Sequence, residues 1–166
     1  MSIQAHKLCM LGDFGVGKTS LVARFVHSTF SEKYMTTIGV KVDTKEVTLD
    51  GRATCKLVIW DIAGRSHLDA LNMTYLRGAS ALLLVADGTR ERSLNAALDL
   101  LMQSRTLLPD AAVVLAVNKL DLVERWEVAP SALAELRRSL PVHETSARSG
   151  EGVEAAFADI AMRLAS

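Results

Sequence analysis

Apolar residues along this chain fall into short blocks of two kinds, and the two kinds alternate. "HKLCMLG" is a brief apolar run that halts at Gly12. Residues 18–28 follow with Leu21, Val22, Phe25 and Val26 at helical spacing, which predicts a helix with one apolar face. Residues 29–37 are polar, lack any period and read as a surface loop. "IGVKVDTKEVTLDGRATCKLVIWD" holds two strand-like runs around Asp50-Gly51, a dipeptide favoured in tight hairpin turns. "ALLLVAD" and "AVVLAVN" are apolar throughout, as parallel strands buried on both faces are. Between them Leu94, Leu98, Leu101 and Leu108 recur at roughly helical spacing. A helix near 131–139, a short strand around 142–145 and a last helix carrying Val153, Phe157, Ile160 and Leu164 complete the pattern, punctuated by Pro130 and Pro141.

Strand–helix alternation with one early hairpin predicts an α/β fold of three layers, its sheet mostly parallel with one antiparallel strand. Ligands of such sheets bind beyond the carboxyl ends of the strands, where Gly12, Asp61, Asp87 and Asn118 all lie. The 166 residues suit one domain, 1–166, and 49% apolar content argues against disorder. Lys+Arg and Asp+Glu are balanced at 19 each, so nothing points to nucleic acid or an anionic membrane. Cys9 and Cys55 sit inside strand-like runs and are expected to be buried, reduced thiols. No stretch has the length of a signal peptide or a membrane span. Ser2 stands where myristoylation needs glycine, and "ADIAMRLAS" has no cysteine for a prenyl group. A cytoplasmic protein without a direct lipid anchor is therefore expected.

Chemistry concentrates at the strand ends. "GDFGVGKT", residues 12–19, fits G-x-x-x-x-G-K-[ST] between a strand and a helix, the setting of a phosphate loop. Its glycines let backbone N–H groups turn inward, and the helix N-terminus adds a favourable partial charge. Lys18 can reach terminal phosphates, and the Thr19 hydroxyl can ligate Mg²⁺. Asp61 closes its strand where a second carboxylate would hold Mg²⁺ through water, a weak signal alone because any strand can end in Asp. In "NKLD", Asn118 closes a buried strand, and Asp121 offers two carboxylate oxygens to the N1–H and 2-amino group that only guanine presents together. Adenine would leave that carboxylate unpaired. The stem of Lys119 can lie along the base, and the backbone amides of "ETSA", residues 144–147, can meet the guanine O6.

"GDFGVGKT", "TTIG", "WDIAG", "NKLD" and "ETSA", in this order, resemble the Ras-like small GTPases, and "TTIGV", "WDIAG" and "YLRGA" are most similar to the Rab branch. The resemblance covers roughly residues 5–164. It implies a P-loop NTPase fold with a six-stranded sheet and about five helices, GTP and GDP as ligands, Mg²⁺ as cofactor, and two switch loops near 30–42 and 61–75. Carried onto this chain, it gives Gly12, Gly15, Val16, Gly17, Lys18, Thr19 and Ser20 to the phosphates and Mg²⁺, with Thr37 and Asp61 completing the metal site. Gly64 and Thr37 would sense the γ-phosphate, Phe30 would pack on the base, and Tyr34 would cover the phosphates. Simple core packing explains Phe30 equally well. Asn118, Lys119, Asp121, Ser146, Ala147 and Arg148 fall at the guanine site. Arg148 replaces a more usual lysine. Val42, Trp60 and Tyr75 would form a partner surface for an effector or regulator of a monomeric switch.

Two positions depart from the pattern. Arg65 stands where the family usually has the glutamine that orients the attacking water. Arginine has donors only, so it cannot accept a hydrogen bond from water. Hydrolysis is then slowed by the loss; or Arg65 supplies positive charge to the γ-phosphate, with His67 positioning the water; or it faces solvent while a partner supplies the catalytic groups. Phe14 puts a phenyl group where the family keeps a small residue. A rival to the switch is a nucleotide-holding interaction module with no useful hydrolysis.

Overall fold

The structure, a computed structural model, describes residues 3–31, 37, 39–65 and 68–165, with only the backbone of 52–54. Among these residues six strands form one sheet. They are β1 (Ala5–Leu11), β2 (Val40–Leu49), β3 (Arg52–Ile62), β4 (Ala81–Asp87), β5 (Ala112–Asn118) and β6 (Val142–Glu144). Their spatial order is β2-β3-β1-β4-β5-β6, and all neighbours are parallel except β2 and β3. Asp50 and Gly51 link that antiparallel pair with φ of 52° and 76°, the positive values a tight hairpin turn needs.

Five α-helices flank the sheet: α1 (Lys18–His27), α2 (Ala70–Leu76), α3 (Glu91–Arg105), α4 (Pro130–Leu136) and α5 (Val153–Ala165). A 3₁₀ turn at Leu120–Arg125, which periodicity does not announce, adds a sixth helical segment. Alternate residues of the strands point to opposite faces and build two cores. On one face Leu8, Met10, Leu57 and Leu83 meet Phe25 of α1 and Phe157 of α5, whose rings stack 3.9 Å apart. On the other, Cys9, Leu82, Leu84 and Leu115 meet Leu76 of α2, Leu94 and Leu100 of α3 and Leu133 of α4. This is the expected three-layer arrangement. Cys9 and Cys55 are free and buried, and they belong to different cores.

Several element boundaries differ from the expectation, among them the end of α1, which stops at His27 because Ser28 turns left-handed with φ of 55°. α4 stops at Leu136 rather than near 139, because Arg138 and Ser139 donate to carbonyls three residues back and tighten the last turn. α3 ends at Arg105, so Leu108 lies beyond it. There the Arg105 guanidinium gathers the carbonyls of Leu108, Pro109 and Ala111, which turns the chain into β5. β6 ends at Glu144, one residue early, and frees Thr145 to Ala147 for the site below.

Candidate functional site

The loop between β1 and α1 follows a path that suits glycine. Gly15 and Gly17 have φ of 77° and 99°, and a Cβ on Gly17 would lie 2.3 Å from Asn118 Nδ2. Gly17 is the N-cap of α1 and has no side chain to occupy the first-turn amides, which stay available to an anion. Lys18 is buried, and its Nζ donates to the Gly12 carbonyl at 3.2 Å. The same carbonyl accepts the Arg65 N–H at 3.1 Å, so the turn after β3 is pinned to the start of the loop. Burial pushes the Lys18 ammonium below the usual lysine range, and the charges of Asp61 and Asp13 oppose that shift.

Three oxygens expected to serve a metal converge. Thr19 Oγ1 donates to Asp61 Oδ2 at 2.6 Å and contacts Thr37 Oγ1, which is 3.2 Å from the same carboxylate oxygen. Asp61 is 1% exposed, and its Oδ1 is buried without a hydrogen-bond partner. Burial pushes the Asp61 carboxyl above its ordinary range, opposed by the Thr19 hydrogen bond, the Lys18 charge and the Thr37 hydrogen bond. An orphaned carboxylate oxygen beside two hydroxyls is the donor set of a hard divalent cation such as Mg²⁺.

On the other side of the loop, Asn118 acts as a strut. Its Nδ2 donates to the Val16 carbonyl at 3.0 Å, and its Oδ1 accepts from Thr145 Oγ1 at 3.1 Å and Ala147 N at 3.3 Å. Ser146 Oγ donates to Asp121 Oδ1 at 2.8 Å and so orients an otherwise exposed carboxylate. Arg24 of α1 reaches the carbonyls of Ala147 and Arg148 and fastens this last loop to the helix. Lys119 has a left-handed φ of 73°. Its Nζ pairs with Asp87 Oδ2 at 2.9 Å, and its carbonyl accepts the Trp126 indole N–H at 2.8 Å.

A single cavity joins the two sides. Gly15, Lys18, Thr19, Ser20, Thr37 and Gly64 line one end; Phe30, Asn118, Lys119, Asp121, Ala147 and Arg148 line the other. Phe30 packs on the core and also lines the cavity. Gly12, Val16, Asp61 and Ser146 stand behind the cavity wall and position the residues that form it. Arg65 is exposed and is not part of the wall. Tyr34 and His67 lie outside the described residues. Phe14, 56% exposed, does line the cavity, and a Cβ on Gly64 would lie 2.7 Å from the Phe14 backbone. Sequence reasoning named the "ETSA" stretch but not the Thr145 side chain, and it had no signal for Leu122 and Trp126, beside Lys119, or for Arg24, whose contact lies 123 residues away.

Comparison with known proteins bears directly on this geometry. The chain matches the Ras family over residues 7–166. It belongs to the Ras family of small GTPases. Within it, the chain is similar to the human Ras-related protein Rab-30, with 37% identity over 163 residues, 96% of this chain and 80% of that protein. It is 36% identical to GTP-binding protein ypt1 of Schizosaccharomyces pombe over 161 residues, 95% of this chain and 79% of the relative. The Ypt/Rab-type GTPase YPT7 of Saccharomyces cerevisiae is also 36% identical, over 93% of this chain and 79% of its own length. These relatives place this GTPase in the Rab branch.

The expected partner patch of this Rab-branch GTPase is continuous across β2, β3 and α2. Val42, 47% exposed, faces Trp60 across the hairpin, and the Trp60 and Tyr75 rings lie 6.3 Å apart. Lys7 sets its ammonium 3.7 Å from the Trp60 ring centre and donates to the Arg77 carbonyl. Among the described residues no helix is long and apolar enough to cross a membrane.

Proposed function

We propose that this GTPase is a guanine-nucleotide switch, built on residues 1–166 as one domain, whose GTP state is long-lived. The observation that carries the reading is the position of Arg65. Among the described residues, its backbone N–H is tied to the site through Gly12, while its side chain is exposed and off the cavity wall. That arrangement favours loss of the water-orienting group over an arginine acting in cis.

In this reading the guanine lies between Phe30 and the Lys119 stem, with Asp121 accepting from its N1–H and 2-amino group. Ser146 is already donating to that carboxylate, which fixes its orientation before the base arrives. The Ser146 N–H is taken by the Glu151 carbonyl and the Ala147 N–H reaches Asn118 Oδ1 at a long 3.3 Å, so the Ala147 amide is the one that would turn to the guanine O6, sharing itself with or releasing Asn118. Gly15, Gly17, Lys18 and the first turn of α1 hold the phosphates. Thr19, Thr37 and Asp61 would hold Mg²⁺, which neutralises charge on the β- and γ-phosphates when bound. Thr37 and Gly64 bring the two switch segments to the γ-phosphate, so its loss releases both. The Val42–Trp60–Tyr75 patch reports that release to an effector or regulator.

A second reading, a nucleotide-holding module without useful turnover, draws on Phe14. Its ring at the phosphate end, with its backbone against Gly64, crowds the approach of an outside catalytic group.

Competition of a fluorescent GDP by GTP and ATP tests the guanine assignment. GTP is expected to displace it about a hundredfold better or more, as for a site that leaves a polar group unpaired with the wrong base. Asp121→Asn is expected to shift preference toward the xanthine nucleotide. Equal competition by GTP and ATP would overturn the reading.

A further inference from the structure

Arg90, the N-cap residue of α3, spans two groups from different parts of the fold. Its Nε lies 3.2 Å from Asp87 Oδ2, and its Nη2 donates to the Phe14 carbonyl at 2.8 Å. Asp87 gives a firm anchor. It is 1% exposed and also accepts from the Thr89 N–H, the Thr89 hydroxyl and Lys119 Nζ. Burial alone would raise its carboxyl, but the hydrogen bonds from Thr89 and Lys119 outweigh burial and hold it below the usual range. The carboxylate is therefore charged and fixed, and a guanidinium fork seated on it has little freedom.

The consequence falls on the next peptide bond. A trans peptide points its C=O and N–H in opposite directions. Holding the Phe14 carbonyl toward Arg90 turns the Gly15 N–H the other way. Gly15 lines the cavity at its phosphate end. With φ of 77° and no Cβ, that residue resists a peptide flip less than any other type would. The Phe14 N–H, part of the preceding 13–14 peptide, is separately held by Asp13 Oδ1 at 2.8 Å, so the peptide on the N-terminal side of Phe14 is steadied too.

We propose that Arg90 is a positioning residue: seated on Asp87, it fixes the Phe14–Gly15 peptide so that the Gly15 amide faces the phosphates. This rests on the nucleotide reading of the cavity. It also joins the base side to the phosphate side through one carboxylate, since Lys119 and Arg90 share Asp87 Oδ2.

The test uses the full ¹⁵N-labelled chain with GDP and Mg²⁺, in native, Arg90→Ala and Arg90→Lys forms. The readouts are the GDP dissociation rate, the Gly15 amide resonance and the melting temperature. Lysine keeps a charge for Asp87 but lacks the fork that serves two acceptors at once. Both variants are expected to move the Gly15 resonance and to release GDP about tenfold faster, the scale of one charge-assisted hydrogen bond. Should Arg90→Ala melt early, Arg90→Lys at native stability carries the comparison. An unmoved Gly15 resonance with dissociation within about twofold of native overturns the proposal, since the loss of a charge-assisted hydrogen bond exceeds that. Native behaviour of Arg90→Lys alone overturns it too, because charge without the fork would then suffice. Failure of the nucleotide reading is seen separately, as a native chain that retains no GDP. The Gly15 resonance of the nucleotide-free forms then still reports whether Arg90 fixes the peptide.

Discussion

Asn118 and Val16, 102 positions apart, are joined by a buried hydrogen bond of 3.0 Å from the Asn118 side-chain amide to the Val16 carbonyl. Through it the end of β5 holds the phosphate loop in shape, while the other side of the same amide holds Thr145 and Ala147. One side chain thus fixes the distance between the two ends of the cavity.

Replacing Asn118 by alanine removes all three contacts and leaves buried polar groups without partners. The cost is expected to be about 2–4 kcal/mol, from the usual penalty for such orphaned groups. For a chain of this size that lowers the melting temperature by roughly 5–15 °C. GDP should dissociate at least about tenfold faster, the kinetic equivalent of only 1.4 kcal/mol. Calorimetry and fluorescent-GDP release check both. A variant with native melting and native release would mean that the strut carries no energy.

Cys9 gives a prediction that is independent of the nucleotide. Burial pushes its thiol from 9.0 up to about 12, against a smaller opposing effect of the Lys7 charge. Between those values the unfolded chain ionises while the folded one keeps its proton. Stability present in full below pH 9 is therefore lost as pH rises toward 12, at up to about 1.4 kcal/mol per pH unit. Urea unfolding between pH 8 and pH 11 measures the slope. Cys9→Ala should flatten it relative to the native chain, and an identical slope in the variant would refute the assignment.

These contacts also mark how far the sequence could be read. The Asp50-Gly51 turn was legible because its positive φ values are a property of two adjacent residues. The strands β4 and β5 were legible because burial on both faces leaves no polar position in "ALLLVA" or "AVVLAV". The glycines and Lys18 of the phosphate loop were legible because short spacing sets their geometry. Helix ends were less so: Leu108 keeps a helical period, yet the chain there is turned by the Arg105 guanidinium. Support of the site was not legible at all. That Trp126 would hold the Lys119 carbonyl depends on how the 3₁₀ turn between them folds back, and that Arg24 would hold the Ala147 carbonyl 123 residues away depends on which elements the fold brings together. No local pattern encodes that.

The central claim is that Arg65 replaces a water-orienting group without substituting for it. Single-turnover GTP hydrolysis with Mg²⁺, comparing the native chain with Arg65→Gln and Arg65→Ala, tests it most directly. The account predicts that glutamine, which can accept a hydrogen bond from water, speeds hydrolysis by about tenfold or more, a gain of 1.4 kcal/mol in the barrier, and that alanine is no slower than native. A loss of about tenfold in both variants would contradict it and make Arg65 a catalytic group that reaches the γ-phosphate.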